Sequence, residues 1–476
     1  MNDINDSIRL YCESCYYQRK GNRHVYEVTF HFNSEEERDY FPKIIGLNSG
    51  DLESSNADGV LLVITEVQFP SCRVLKAGNW YEIPFVFFAN MYPVSGKHNN
   101  LIALKLIGSK STSETALPKP VTPNPEELFT LSDLKHYNIA ITDFSKSKFL
   151  NTIKSLGLKD DTHEECPEFI VRNVGFGNWN EVVDGNFRFL FDIGGTKIVN
   201  TPNKLINNIK WDSQFDTFIL ISHWHLDHYS SLFDLDLNSN DYKGIRSVIA
   251  PVKYHGRKSI HNPNIHLPKT MLFENLFHTL NKAKISLELV LPTVNSQSKN
   301  SGTQLNKVGA FNSKNLNFDI YRSNDVYRQN DLNRKGFVAT VNGPETVVVL
   351  TGDHYYTEIN RDVMTTINKN KELHFVIPHH GGNANKVGNV VMNHKFHASI
   401  LSTVNRSFSN FPRKSTKEAF MNSGNVKLFH CTDNHAECNP SGAIKNSCHS
   451  CKHCSPHSGT DYKVKLCEKS KVKCPY

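Results

Sequence analysis

The stretch DTFILISHWHLDH (216–228) joins an apolar run to four side chains that bind metals, His223, His225, Asp227 and His228. The run TFILIS is rich in β-branched and aromatic residues and carries no charge, which predicts a strand covered on both faces. Just past such a strand the backbone stays locally extended, so side chains i and i+2 point the same way. His223 and His225 can then grip one ion. Asp227 and His228 follow after the chain turns, and they can hold a second. Imidazole with carboxylate suits Zn²⁺, and also Mn²⁺ or iron. Histidine is plentiful here, 23 in 476 residues, so crowding alone proves little; the weight comes from repetition.

The same arrangement recurs along the chain. FRFLFDIGG (187–195) is an apolar strand ending at Asp192, Gly194 and Gly195, and ETVVVLTGDHYY (345–356) ends at Gly352 and Asp353. LHFVIPHHGG (373–382) ends at His379 and His380. Apolar strands that each deliver polar residues at one end describe an α/β sheet with its site on a single rim. Asp353 is then expected to bridge the two ions, and His379 or His380 to complete the second site. Spacing does not decide between them, and the other would face the substrate. Asp192 is expected to orient a ligating histidine, a simple turn aspartate before Gly-Gly being the competing reading. Asp227, His380 and Asp192 are the expected catalytic side chains. Two ions roughly 3.5–4 Å apart would make hydroxide available near neutral pH, polarise the bond under attack and neutralise the leaving oxygen. Protein acids and bases then become secondary, and no catalytic Ser or Cys is evident.

Hydrophobic residues make up 38% and charged residues 21% of the chain. That excludes a disordered protein and predicts two or three domains. The net charge of +7 permits contact with nucleic acid without requiring it. No apolar run reaches the ~18 residues of a membrane span, and MNDINDSIRLYCESC lacks the pattern of a secretory signal. A cytoplasmic protein is expected, and with it no disulfides among the eleven cysteines.

Residues 1–117 read as a β-rich domain of unknown role, from VYEVTFHF (25–32), GVLLVITEVQF (59–69), WYEIPFVFF (80–88) and NLIALKLIG (100–108). No chemical motif is visible in it; Cys12 and Cys15 form a single CxxC, read as ordinary thiols. Residues 118–166 read as a linker with an amphipathic helix at 143–158, and 437–476 as a Cys/Lys-rich tail. In that tail Cys438, Cys448, Cys451 and Cys454 are candidates for a structural zinc site. Lys463, Lys465, Lys469, Lys471 and Lys473 form a basic stripe that reads either as a solvated strand edge or as a phosphate-binding surface.

Taken together, HxHxDH (223–228), preceded by FDIGG and followed by TGD and PHHGG, resembles the metallo-β-lactamase fold of hydrolases over about residues 167–436. NVGFGN (173–178), LTGD (350–353), IPHHGG (377–382) and ASILST (398–403) are similar to the branch found in bacterial competence DNA-uptake channels. The resemblance implies a four-layer αβ/βα sandwich with a two-metal centre at one edge. It also implies phosphodiester or nucleic acid hydrolysis. The chain departs from that branch at Gly382, where a Ser is usual, and at Phe411-Pro412, where a His-Pro is usual. The further metal-binding His of many such proteins has no clear counterpart among His255, His261, His266 and His278, with Asn330 or Asn333 as substitutes. The competing functions are an acyl hydrolase acting on a lactam, lactone or thioester, and a metal-regulated binding or sensor subunit using residues 1–117 to bind a protein partner.

Overall fold

The computed structural model describes residues 7–20, 23–46, 61–69, 75–88, 91–93, 103–107, 117–156, 166–175, 177–195, 211–252, 267–292, 303–324, 332–403, 412–432 and 461–468. Two β-sheets carry the strands read from the sequence. One runs in the order Tyr462–Lys465, Glu168–Val171, Trp179–Asp184, Phe187–Ile193, Asp216–Leu220, Ile245–Pro251, Ser286–Val290, Ile139–Thr142. The other runs Leu305–Asn312, Asn317–Ser323, Phe337–Asn342, Thr346–Leu350, Glu372–Val376, Phe396–Leu401, Val426–Cys431. Each begins antiparallel and turns parallel at the strands that end in candidate ligands.

The alternation of side chains shows how the layers stack. Phe187, Phe189 and Phe191 point inward, where they meet Phe311, Phe318 and Phe337 of the facing sheet. Leu190 and Ile193 of the same strand point outward and pack with Leu272, Leu276 and Leu280 of the helix Met271–Lys282. On the far side, Val347 and Val349 pack beneath Tyr356, Val390 and Phe420 from the helices of the second half. Helix, sheet, sheet, helix is thus the order of layers, the αβ/βα sandwich that was expected. A strand covered on both faces has no place for polar residues, which is why all seven positions of Phe187–Ile193 are buried and apolar save Arg188 and Asp192. Fully burying one such phenylalanine contributes about 2–3 kcal/mol.

The N-terminal β-rich region forms its own seven-stranded sheet, ordered Tyr92–Pro93, Ala103–Ile107, Leu61–Phe69, Arg23–His31, Ser7–Lys20, Asn79–Pro84, Lys119–Val121. Its apolar face is continuous with the outer face of the sandwich, since Leu10, Phe30 and Phe32 share a core with Trp224, Phe273 and Phe277. Met271 N donates to Phe32 O at 3.1 Å, and His31 Nδ1 lies 3.0 Å from Thr270 Oγ1. The stretch expected as linker and helix is built into this framework. Ile139–Thr142 is the edge strand of one sandwich sheet, and the helix Lys148–Ser155 inserts Phe149, Leu150 and Ile153 between the two sheets. Glu288 fastens that helix by accepting from Lys148 N and Phe149 N at 2.8 and 2.7 Å.

At the other end of the chain Tyr462–Lys465 pairs antiparallel with Glu168–Val171. This pairing brings together Cys166 and Cys467, 301 residues apart, and they form a disulfide. The expectation of free thiols is corrected at this pair: it rested on compartment alone, whereas strand pairing sets the two sulfurs side by side. Cys12 and Cys15 are free. Cys438, Cys448, Cys451 and Cys454 lie outside the described residues. Among the described residues no helix is long and apolar enough to cross a membrane.

Candidate metal centre

The two sandwich sheets bring three strand ends to one rim. His223 and His225 follow Asp216–Leu220, Asp353 follows Thr346–Leu350, and His379 and His380 follow Glu372–Val376. There the side chains sort into two groups. The candidate ligand atoms of His223, His225 and Asp353 lie within 4.8 Å of one another, and so do those of Asp227, His228 and His380. Asp353 stands between the groups. Its Oδ2 is 3.6 Å from His223 Nε2, and its Oδ1 is 3.2 Å from His228 Nε2. One carboxylate oxygen therefore faces each group. His380 Nε2 is 3.0 Å from Asp227 Oδ2. His379 Nε2 approaches Asp353 Oδ2 at 3.8 Å, and its side chain is 17% exposed, against 2% for His380. Backbone geometry sets the two imidazoles apart. His379, His380 and Gly381 all have positive φ, at 53°, 50° and 73°, a strained run of the kind that collects at functional sites. It turns His380 inward and leaves His379 toward the open side.

A set of hydrogen bonds fixes these rings from behind. His228 Nδ1 donates to Asp192 Oδ2 at 2.8 Å, and His380 Nδ1 donates to Ser402 O at 2.8 Å. Both rings therefore carry the proton on Nδ1 and turn Nε2 toward the cluster, the tautomer that ligation through Nε2 needs. Asp192 is wholly buried and also accepts from Ser222 N at 2.6 Å, Ser222 Oγ at 2.8 Å and Asn178 Nδ2 at 3.2 Å. The ligand loop is tied down further by Asn178 N donating to Asp227 O at 2.9 Å. Gly194 lies so close to the Asp227 carbonyl that a Cβ there would overlap it, which accounts for the glycine after Asp192.

The electrostatics are those of a cation site. Although burial disfavours its charge, His228 is held well above the usual imidazole range by Asp353, Asp192 and Asp227 around it. Burial opposes ionisation of Asp227 and Asp353 too, yet the neighbouring imidazoles hold both below the usual carboxylate range. Burial and the adjacent His228 push His223 down, and burial takes His225 to about 4. His223 and His225 are therefore neutral, with lone pairs to give, and His225 Nε2 has no hydrogen-bond partner. Buried carboxylates drawn around positive charge, with neutral imidazoles aimed among them, fit two divalent cations: His223, His225 and Asp353 for one, and Asp227, His228 and His380, with Asp353 shared, for the other.

One buried group beside the site escaped the sequence. Glu13, on the N-terminal strand Ser7–Lys20, is 3% exposed, and its Oε1 accepts from Leu226 N at 2.5 Å. Burial pushes its carboxyl up to about 7, against the pull of the Leu226 N–H. Its only local signal is a glutamate in a strand that packs on a core. Of the candidates for a further ligand, His278 is exposed on the helix Met271–Lys282. His255, His261, His266, Asn330 and Phe411 lie outside the described residues. Asn333 falls in the short helical turn Leu332–Lys335, and Asn383 is exposed with its carbonyl 3.4 Å from His379 Nδ1.

No family model matches this sequence, and no curated protein matches it. Several solved structures are similar at low identity. A metallo-beta-lactamase fold protein, YhfI from Bacillus subtilis, is 12% identical; the match covers 56% of this chain and 96% of that one, with a TM-score of 0.32. A diphosphatase from the PhnP family is 12% identical, covering 63% and 99%, with a TM-score of 0.33. A diiron β-hydroxylase, CmlA from Streptomyces venezuelae, is 9% identical, covering 67% and 60%, with a TM-score of 0.28. Likenesses so distant, to proteins of such different chemistry, leave the function to be argued from the site itself.

Proposed function

We propose that this chain is a two-metal hydrolase that cleaves phosphodiester bonds, with nucleic acid or a nucleotide as the substrate class. The observation that carries the proposal is Asp353, whose two carboxylate oxygens face separate groups of buried ligands. Two divalent cations bound there would supply Lewis acidity for activating water and neutralising phosphate oxygens. The donor set holds few negative charges: Asp227 and Asp353 are its carboxylates, and the rest are imidazoles. Two dications against two carboxylates leave a net positive centre, which favours an anionic diester over a neutral ester or amide. His379, on the open side, would face the substrate. Asp192 and Ser402 keep His228 and His380 in one tautomer, so neither ring needs to reorient when ions bind. Lys463 and Lys465 are exposed on the edge strand Tyr462–Lys465.

The test offers purified protein, with Zn²⁺ or Mn²⁺, bis-p-nitrophenyl phosphate, single-stranded and duplex DNA, RNA and a chromogenic lactam. Phosphoester turnover that is lost in His225→Ala and Asp353→Ala supports the proposal. Turnover of the lactam alone overturns it in favour of acyl hydrolysis. Stoichiometric ions without turnover of any substrate would favour a sensor or binding subunit.

A further inference from the structure

We propose that Glu13 is a positioning residue of the metal centre, so that the N-terminal sheet holds the ligand loop in register for the two ions. The inference rests on the two-metal reading of residues 223–228.

Glu13 does not behave as a strand residue. Along Ser7–Lys20, Cys12 sits opposite Phe30 but Ser14 sits opposite Thr29, so residue 13 has no partner on Arg23–His31. This is a β-bulge, which inserts one residue and re-aims its side chain. Here it turns a carboxylate into the interior, at 3% exposure. Burying a carboxylate is costly unless it is well bonded. Leu10, Tyr11 and Cys12, which precede it on the strand, are all buried. What the carboxylate meets is Leu226 N, 213 positions away in the chain and 2.5 Å away in space.

The position of Leu226 gives the contact its meaning. It lies between His225, in one ligand group, and Asp227, in the other. His225 has extended backbone, φ −104° and ψ 139°, and Leu226 opens the short helix Leu226–Tyr229. The N–H of that first turn has no partner within the helix. Rotation of the 225–226 peptide would carry His225 and Asp227 in different directions and so change the separation of the two groups. A hydrogen bond at this point, between a buried acceptor and an N–H the helix cannot satisfy, fixes that angle. The N-terminal sheet thereby acquires a role that its sequence does not announce.

The experiment uses the full chain and three variants, Glu13→Ala, Glu13→Asp and Glu13→Gln. Zn²⁺ affinity of each ion is measured by competition with a chromophoric chelator, Co²⁺-loaded protein is examined by visible absorption, and folding is followed by circular dichroism. Glu13→Ala removes the acceptor, and Glu13→Asp withdraws it by one methylene. Both are expected to weaken at least one ion by roughly 10–100-fold, the usual effect of losing an outer partner, and to alter the Co²⁺ spectrum. Glu13→Gln keeps an oxygen of the same reach and is expected to restore most of both. A role limited to folding would move the melting temperature in all three without this order. If Glu13→Ala does not fold, Glu13→Asp against Glu13→Gln decides. Wild-type affinity and spectrum in Glu13→Ala, or in Glu13→Asp, overturn the proposal. Failure of the unmutated protein to take up two ions overturns the two-metal reading itself, and this inference with it.

Discussion

Asp192→Asn is the substitution whose outcome the structure fixes most tightly. The two carboxylate oxygens have different duties: Oδ1 accepts from Ser222 N at 2.6 Å, while Oδ2 accepts from His228 Nδ1, Ser222 Oγ and Asn178 Nδ2. Asparagine has one acceptor oxygen and one NH₂. If the NH₂ takes the Oδ1 position, two donors face each other across 2.6 Å, and a buried backbone N–H is left unsatisfied at a cost of about 1–3 kcal/mol. If the NH₂ takes the Oδ2 position, it forces His228 to accept at Nδ1, and the ring proton moves to Nε2. That is the nitrogen aimed at the second ion, so metal and proton then compete. Both orientations also remove the carboxylate charge that makes His228 a stronger ligand, so either weakens binding. The expected loss is 10–100-fold in affinity for the ion held by Asp227, His228 and His380, or about 1.4–2.7 kcal/mol. Isothermal titration of chelator-treated protein with Zn²⁺, with elemental analysis of the loaded protein, measures it. The side chain hardly changes in size, so the circular dichroism spectrum should persist. If Asp192→Asn binds both ions as tightly as the unmutated protein, Asp192 does not orient His228 for a metal.

Three further outcomes follow from the same geometry. His380→Ala should lower the metal content of the protein from two ions toward one, whereas His379→Ala should keep both and lose turnover; elemental analysis with an assay on bis-p-nitrophenyl phosphate separates them, and equal metal loss would refute the assignment. Acid should destabilise the metal-free protein through His31 and His374, whose imidazoles burial holds down to about 3. Both are neutral in the fold at neutral pH, but the unfolded chain takes up their protons below about 6.5, so stability falls with falling pH by about 1.4 kcal/mol per unit for each histidine. Urea unfolding at pH 7 and pH 5 should show a smaller drop for His31→Gln. Replacing Cys166 and Cys467 together by serine should lower thermal stability, because the cross-link closes a span of 301 residues, by about 5 kcal/mol at most. It should leave metal content unchanged, since Glu168 pairs with Lys465 at the strand end away from the rim.

The sequence was most legible where function and strand periodicity coincide. The strands ending at Asp192, His223, Asp353 and His379 stand where apolar runs placed them, because a strand buried on both faces has few sequence alternatives. The N-terminal strands at 25–32, 59–69, 80–88 and 100–108 also have counterparts in Arg23–His31, Leu61–Phe69, Asn79–Pro84 and Ala103–Ile107. Less legible was Ser7–Lys20, whose charged and polar residues hide an interior strand of its sheet, and Glu35–Ile44, a short helix carrying a proline.

What the sequence determined by itself was the list of candidate metal-binding side chains and their delivery to one rim, since both are local properties of strands and the residues that follow them. What tertiary structure decided was every relation between distant segments. It turned His380 rather than His379 inward through a left-handed backbone run, and it set Asp353 between two ligand groups. It also joined Cys166 to Cys467, and brought Glu13 to the Leu226 amide across 213 positions. Such contacts depend on the packing of sheets against one another, and no periodicity along the chain records which surfaces will meet.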